Sequence, residues 1–411
     1  MKYRIRNYNN ALETDKILNY PHKNYPIIHV AGTDGKGSTT NMLASILQEA
    51  GYKIGLFNTP GVPSVSNMIK VNGQSISPKN YNTLRNYIKQ KNPNIDETSI
   101  WVFIALLYFK QKKVDIAILE ATIGAKTCPT NIVTPIISLL TNITKDHLKD
   151  FDNNLIEYAK EKIGLIKPNV PILVGEMPSD PDVKNMIIDK AQECNSVLKF
   201  TDEPIYNFIL EHKDNGEYIT SLGKVQMCLG GNYQRNNLNL VLNTVQELRS
   251  QGFNISDKHI ISGLANIYEN TGFCGRWQTL QKSPLVILDG CHTVDAWNKV
   301  IPQLLQLDYN NLHIIYHACK DKNLNEITRL FPDKENITYW FPDNTHKRLI
   351  LAEKLIPLTN HLTKSKRYVM SSLQQTLDYL LPKLGDKDII FIGGTLMIVS
   401  PANKYFQNLQ N

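Results

Sequence analysis

Apolar and polar positions along the chain follow two alternating rhythms. Short apolar runs at 26–30, 53–57, 114–119, 136–140 and 170–174 have the length and continuity of strands buried on both faces. Between them, stretches that repeat every three or four residues predict amphipathic helices from Ser38 to a closing Gly51, over 100–109 and over 155–166. A two-residue alternation across 199–227 predicts antiparallel strands, and a helix follows at 234–248. After Gly275 the pattern starts again. Strands are predicted at 285–288, 312–316, 337–340, 367–370 and 388–392, separated by helices at 296–307, 324–330, 350–355 and 373–384. Strand–helix alternation of this kind predicts an α/β fold with mainly parallel sheets. Periodicity breaks at 268–276, which predicts two domains, 1–270 and 271–411.

Composition narrows the class of protein. Hydrophobic residues make up 42% and charged residues 20%, enough apolar material for real cores. The net charge of +7 is spread along the chain without a run of like charges, so it suits anionic small molecules and gives no nucleic-acid signature. No apolar stretch has the length of a membrane span, and the first residues, MKYRIRNYNN, lack the apolar segment of a secretory signal. Six scattered cysteines without a C-x-x-C pair read as reduced thiols. The expectation is a cytoplasmic protein with neither membrane nor nucleic acid as partner.

The chemistry concentrates first at residues 29–43, HVAGTDGKGSTTNML, where a strand runs into Gly32, Thr33, Asp34, Gly35, Lys36, Gly37, Ser38 and Thr39 and a helix begins. Glycines let backbone amides turn toward an oligophosphate, and the helix start adds favourable partial charge. Lys36 supplies a point charge between phosphates, and Ser38 and Thr39 supply hydroxyls. The loop departs from the strict Walker A pattern: Val30 stands where Gly is expected, and Gly37 follows the lysine in place of Ser or Thr. The bland alternative is an ordinary glycine-rich turn. The lysine and the flanking strand and helix favour nucleotide binding.

The G-T-x-G-K-G-S sequence resembles the variant phosphate loop of the folylpolyglutamate synthase/dihydrofolate synthase family, within the Mur ligase superfamily. Six further segments resemble that family in order: NTPGVPSVSNMIKVNGQSIS (58–77), VDIAILEATIGAKTCPTNIV (114–133), LTNITKDHLKDF (140–151), EKIGLIKPNVP (161–171), LGGNYQRNN (229–237) and GRWQTLQKSPLVILDGCH (275–292). The resemblance runs from about residue 19 almost to the end. It implies a P-loop Mur-ligase-type central domain followed by a smaller Rossmann-like C-terminal domain. It also implies an ATP-dependent ligase that phosphorylates a pterin or folate carboxylate and then joins L-glutamate to it. The implied cofactors are ATP, one or two Mg²⁺ and K⁺, and the family precedent is monomeric.

On this resemblance Thr59, Glu120, His147 and Lys162 hold metal, Lys162 as a carbamate. Lys36, Lys162, Arg276 and His292 act in catalysis. Arg276 and His292 reach the phosphates, Asp289 the ribose, and Gln234 and Asn237 lie beside adenine, so that ATP sits between domains. Each residue also has a structural reading: Glu120 as a helix cap, His147 and His292 as hydrogen-bonded polar residues, Lys162 as a solvated helix residue, and Arg276 as an ion-pair partner. Lys320-Asp321-Lys322 reads as a loop after a strand.

Several positions depart from the family pattern. Its Ser-Pro-His becomes Thr59-Pro60-Gly61, its Arg-x-Asp becomes Lys126-Thr127-Cys128, its His-Asn becomes His292-Thr293, and Asp34 replaces the usual Asn. These changes leave open a related ligase for a different carboxylate, or a decayed paralogue that only binds nucleotide.

Overall fold

The computed structural model describes residues 2–61, 64–122, 124–144, 151, 154–212, 216–344 and 346–410. It divides into two compact units. The first contains the residues described up to 212 together with Glu217–Cys228 and Gln234–Phe273; the second contains Leu229–Tyr233 and the chain from Cys274 onward.

In the first unit the strands are β1 (Ile27–Ala31), β2 (Ile54–Phe57), β3 (Ile69–Val71), β4 (Gln74–Ser75), β5 (Ile116–Glu120), β6 (Ile137–Leu140), β7 (Ile172–Val174) and β8 (Leu198–Phe200). They form one sheet in the order β4-β3-β2-β5-β1-β6-β7-β8. From β2 to β8 every pairing is parallel, while the β3–β4 hairpin joins β2 antiparallel. The register sets Val30 opposite Glu120 and Ala31 opposite Leu140. The carboxyl ends of β1, β5 and β6 therefore finish side by side. In open parallel sheets this edge is where ligands bind.

Both faces of the sheet are covered. Helix Glu97–Lys112 buries Ile100, Phe103, Ile104 and Phe109 on one face. Helices Leu155–Ile163 and Pro181–Glu193 bury Tyr158, Ile163, Val183 and Ile187 on the other. Side chains start these helices: Asp96 accepts from Ser99 N, Asn154 from Ile156 N and Glu157 N, and Asp180 from Val183 N. A small antiparallel sheet, β9 (Ile209–His212), β10 (Glu217–Thr220) and β11 (Gly223–Gln226), follows. Of the region read as antiparallel strands, the part at 198–200 instead joins the large sheet parallel to β7, because its side chains complete the core there.

The second unit holds β12 (Gln278–Lys282), β13 (Leu285–Asp289), β14 (Leu312–Tyr316), β15 (Ile337–Pro342), β16 (Lys366–Met370) and β17 (Ile389–Gly393). Their order is β12-β13-β17-β14-β15-β16, with only β12 antiparallel. Trp297, Tyr316, Phe331 and Phe391 pack in one core, and Leu377, Ile390, Ile392 and Phe406 in the other. The α/β class and the mainly parallel sheets agree with the sequence reading. No helix among the described residues is long and apolar enough to cross a membrane, and all six cysteines are free.

Candidate active site

β1 hands directly to a turn of four residues before the helix Lys36–Glu49 begins. Gly32 has φ +144 and Gly35 φ +81, values that L side chains rarely adopt. A Cβ would fall 1.8 Å from Thr141 Oγ1 at Gly32 and 2.1 Å from Asn237 Oδ1 at Gly35, so neither position accepts a side chain. The turn is stitched to the chain after β6. Asn142 Oδ1 accepts from Thr33 N (3.2 Å) and Asp34 N (2.9 Å), and Thr141 Oγ1 donates to Asp34 O (2.5 Å). Thr144 Oγ1 donates to Asp34 Oδ2 (3.3 Å), which gives the unusual loop carboxylate a donor away from the helix start.

Two ammonium groups converge on one carbonyl. Lys36 Nζ donates to Gly32 O (3.0 Å) and Thr33 O (2.9 Å), and Lys162 Nζ donates to the same Gly32 O (2.7 Å). Lys162 is only 2% exposed and lies over the Tyr158 ring at 4.6 Å. Its neighbour Glu161 faces the other way. Glu161 Oε1 accepts from Thr127 N (2.7 Å) and Thr127 Oγ1 (2.6 Å), and its carbonyl accepts from Lys126 N (2.7 Å). Consecutive residues of one helix thus hold the phosphate loop and the turn that follows β5.

Glu120 ends β5 and is 3% exposed. Its Oε2 accepts from Asn58 Nδ2 (2.8 Å) and lies 3.9 Å from where a Gly37 Cβ would stand. The Phe273 ring faces that same point at 3.4 Å, so the start of the helix lies between an aromatic ring and the carboxylate, with room for no more than a small side chain in ordinary contact. Thr59 follows Asn58 and is half-buried. From the helix Gln234–Ser250, Gln234 Nε2 donates to Ser38 Oγ (3.2 Å), and Asn237 Nδ2 donates to Gln234 Oε1 (2.9 Å). Both residues therefore meet the phosphate loop itself.

This arrangement suits a hard divalent cation. Glu120 contributes a buried carboxylate, and the first turn of the Lys36–Glu49 helix contributes the hydroxyls of Ser38 and Thr39. Thr39 Oγ1 is buried without a hydrogen-bond partner among the described residues. Those residues hold no cluster of three His, Cys, Asp or Glu side chains. His147 lies outside the described residues.

In the second unit Asp289 ends β13 and is 2% exposed. Its Oδ2 accepts from Trp277 N (2.8 Å) and from the Tyr233 hydroxyl, and its Oδ1 from Cys291 N (2.8 Å). Burial raises the Asp289 pKa; the Arg276 guanidinium and these donors oppose the rise. Arg276 Nη1 donates to Gly275 O (2.9 Å), and His292 Nδ1 lies 2.9 Å from Gly290 O, so Nδ1 carries the proton in that bond. Arg276, Asp289 and His292 are thereby gathered on two adjoining turns.

Sequence reasoning did not single out Asn58, Thr141, Asn142, Tyr158, Glu161 or Tyr233. Each acts on a neighbour by hydrogen bonding or packing, and nothing in a local pattern marks such a role. All but Tyr158 lie inside the quoted segments, where other residues carry the recognisable chemistry.

A family model described as the Mur ligase middle domain matches residues 30–245. The dihydrofolate synthase/folylpolyglutamate synthase of Bacillus subtilis (strain 168) is 30% identical over 407 residues, covering 94% of this chain and 92% of that one. Among solved structures, E. coli FolC in complex with DHPP and ADP has a TM-score of 0.78 at 22% identity, covering 99% of this chain and 93% of that one. A bifunctional folylpolyglutamate synthase/dihydrofolate synthase with Mn, AMPPNP and L-glutamate bound has a TM-score of 0.77 at 22% identity, covering 98% and 93%. At these identities the two structures speak for the fold.

Proposed function

The chain belongs to the dihydrofolate synthase/folylpolyglutamate synthase family of ATP-dependent ligases, and from that premise we propose that it joins L-glutamate to the carboxyl group of a pterin or folate acid. The observation that carries this reading is the junction at Gly32, where a glycine turn, two lysines and the start of a helix meet one edge of a parallel sheet.

The substrate carboxylate attacks the γ-phosphorus of ATP, ADP leaves, and an acyl phosphate forms. The amine of L-glutamate then attacks the acyl carbon, phosphate leaves with the C–O bond electrons, and the amine loses a proton to give the amide. Lys36 and the amides of the helix start hold the transferring oxygens. Glu120, Thr59, His147 and a carbamylated Lys162 are the residues assigned to Mg²⁺. When bound, the cation neutralises charge that builds on the phosphoryl group. Crowding of two ammonium groups on Gly32 O favours carbamylation of Lys162, since a carbamate removes one of two like charges. Gln234 and Asn237 steady the loop beside the base, and Arg276 and His292 contact phosphate. Asp289, with three donors already on its carboxylate, holds the turns that carry Arg276 and His292 and offers its remaining lone pair to ribose.

The test is phosphate release with dihydropteroate or a reduced folate under Mg²⁺, K⁺ and bicarbonate. Glutamate-dependent ADP and phosphate with either acid is expected; no turnover with both overturns the reading. A different acid is the second possibility, favoured by the rebuilt turn at 126–128. There Cys128 Sγ accepts from Thr130 Oγ1 (3.1 Å) and contacts Thr122 Oγ1 (3.3 Å), where the family has a carboxylate. A panel of carboxylic acids in the same assay separates the two.

A further inference from the structure

Resting on the metal assignment above, we infer that Asn58 is a positioning residue for the metal site: its side-chain amide fixes the direction in which the Glu120 carboxylate presents its oxygens. Asn58 immediately follows β2, beside the end of β5. Its Nδ2 donates to Glu120 Oε2 (2.8 Å) and to Thr40 Oγ1 (2.6 Å), and its Oδ1 accepts from Asn41 Nδ2 (3.2 Å). Both amide hydrogens are therefore used, and the amide has only one sensible orientation. Flipping it would set its oxygen against the carboxylate and its NH₂ against another NH₂.

The partners are themselves locked. Asn41 is 2% exposed, and its Nδ2 also donates to Gly37 O (2.7 Å), so both contacts of that nitrogen are carbonyl oxygens. Asn41 Oδ1 is buried with no hydrogen-bond partner among the described residues. The cluster tolerates an unsatisfied oxygen in order to keep the Asn41 and Asn58 amides in this orientation, which ties Glu120 to the first turn of the phosphate-loop helix. Thr40 Oγ1 donates to the same Gly37 O (3.0 Å) and accepts from Asn58. A chain of hydrogen bonds thus runs from the turn where Lys36 begins the helix to the carboxylate that ends β5.

Hydrogen-bonding partners of metal ligands commonly change metal affinity by about 10- to 100-fold when removed. A carboxylate released from Asn58 keeps its charge but loses the 2.8 Å contact that aims its Oε2. The loss should therefore fall on cation affinity and leave the contacts between phosphate and loop amides in place.

The experiment compares wild type with Asn58→Ala. Mn²⁺ binding to the ADP complex is followed by electron paramagnetic resonance, and ADP binding in EDTA by calorimetry. Asn58→Ala should weaken Mn²⁺ by about 10- to 100-fold and change metal-free ADP affinity by less than about 2-fold, since that contact is untouched. Unchanged Mn²⁺ affinity, or an equal fall in metal-free ADP affinity, overturns the inference. If wild type itself fails to bind Mn²⁺ with ADP, the metal assignment falls as well, and the two failures are told apart. If thermal unfolding shows that Asn58→Ala does not fold, Asn58→Ser takes its place with the same two measurements and the same criteria.

Discussion

The ammonium of Lys162 donates to the carbonyl of Gly32 across 2.7 Å, so a residue on the Leu155–Ile163 helix helps to shape the turn that starts 130 positions earlier. Lys162→Ala removes that bond and the amine that carbamylation needs. The expected result is a fall in kcat of about 100-fold or more, on the scale of losing one preorganised electrostatic contact. Lys162→Arg should not restore the rate, because a guanidinium forms no carbamate and its fork does not match a single carbonyl. Steady-state rates with and without bicarbonate check both points: wild type slows when bicarbonate is removed, and the variants do not respond.

Glu161 gives a stability prediction on the other side of the same helix. Glu161→Ala leaves Thr127 N and the Thr127 hydroxyl without their acceptor and should cost about 1–3 kcal/mol. Glu161→Gln keeps an acceptor oxygen at similar reach and should cost less than half as much. Urea unfolding of the three proteins at one pH measures the difference.

For Asp289, the sign follows from its donors. The Tyr233 hydroxyl lowers the Asp289 pKa against the rise that burial imposes, so Tyr233→Phe moves that pKa upward. Charge on Asp289 is then lost at a higher pH as the solution is acidified. The acid limb of kcat/KM for ATP should shift to higher pH. An unshifted limb would show that protonation of Asp289 does not limit nucleotide use.

His29 makes a prediction about acid stability. It is fully buried in β1, its Nε2 lies 2.9 Å from Thr130 Oγ1, and burial, helped by the charge on Lys167, lowers its pKa to about 3. In the unfolded chain the imidazole titrates near 6.5, so between those values the unfolded state binds a proton that the folded state refuses. The associated stability is complete above about pH 6.5 and is lost as pH falls toward 3, by up to about 1.4 kcal/mol per pH unit. His29→Gln should flatten that dependence by about one proton while keeping a polar contact to Thr130. Denaturant titrations at several pH values between 5 and 7.5 measure the slope.

Strands buried on both faces were readable because an unbroken apolar run has few other uses. The runs at 114–119 and 136–140 fall on β5 and β6. The helix Pro78–Lys91 was not read, although Ser77 caps it, Pro78 opens it, and Tyr81, Leu84 and Ile88 are its buried positions. Three apolar residues among many Asn and Lys make a faint stripe, and tertiary packing decides the outcome. The same holds for Pro181–Glu193, buried through Val183, Ile187 and Ala191. At the site, Lys36, Glu120 and Lys162 were legible because their chemistry is tied to local motifs. Asn58 was not, because its importance comes from Asn41, Thr40 and Glu120, which reach it from other parts of the chain.

Gly37 carries a consequence for how this loop can change over time. A Cβ at this position would meet the edge of Phe273 at 3.4 Å, an ordinary van der Waals contact, so the backbone has room for the first carbon of the commoner lysine–serine pairing. A small side chain can therefore enter at 37 without a matching change at 273, and a search tuned to the standard phosphate-loop pattern will pass over chains that keep the glycine.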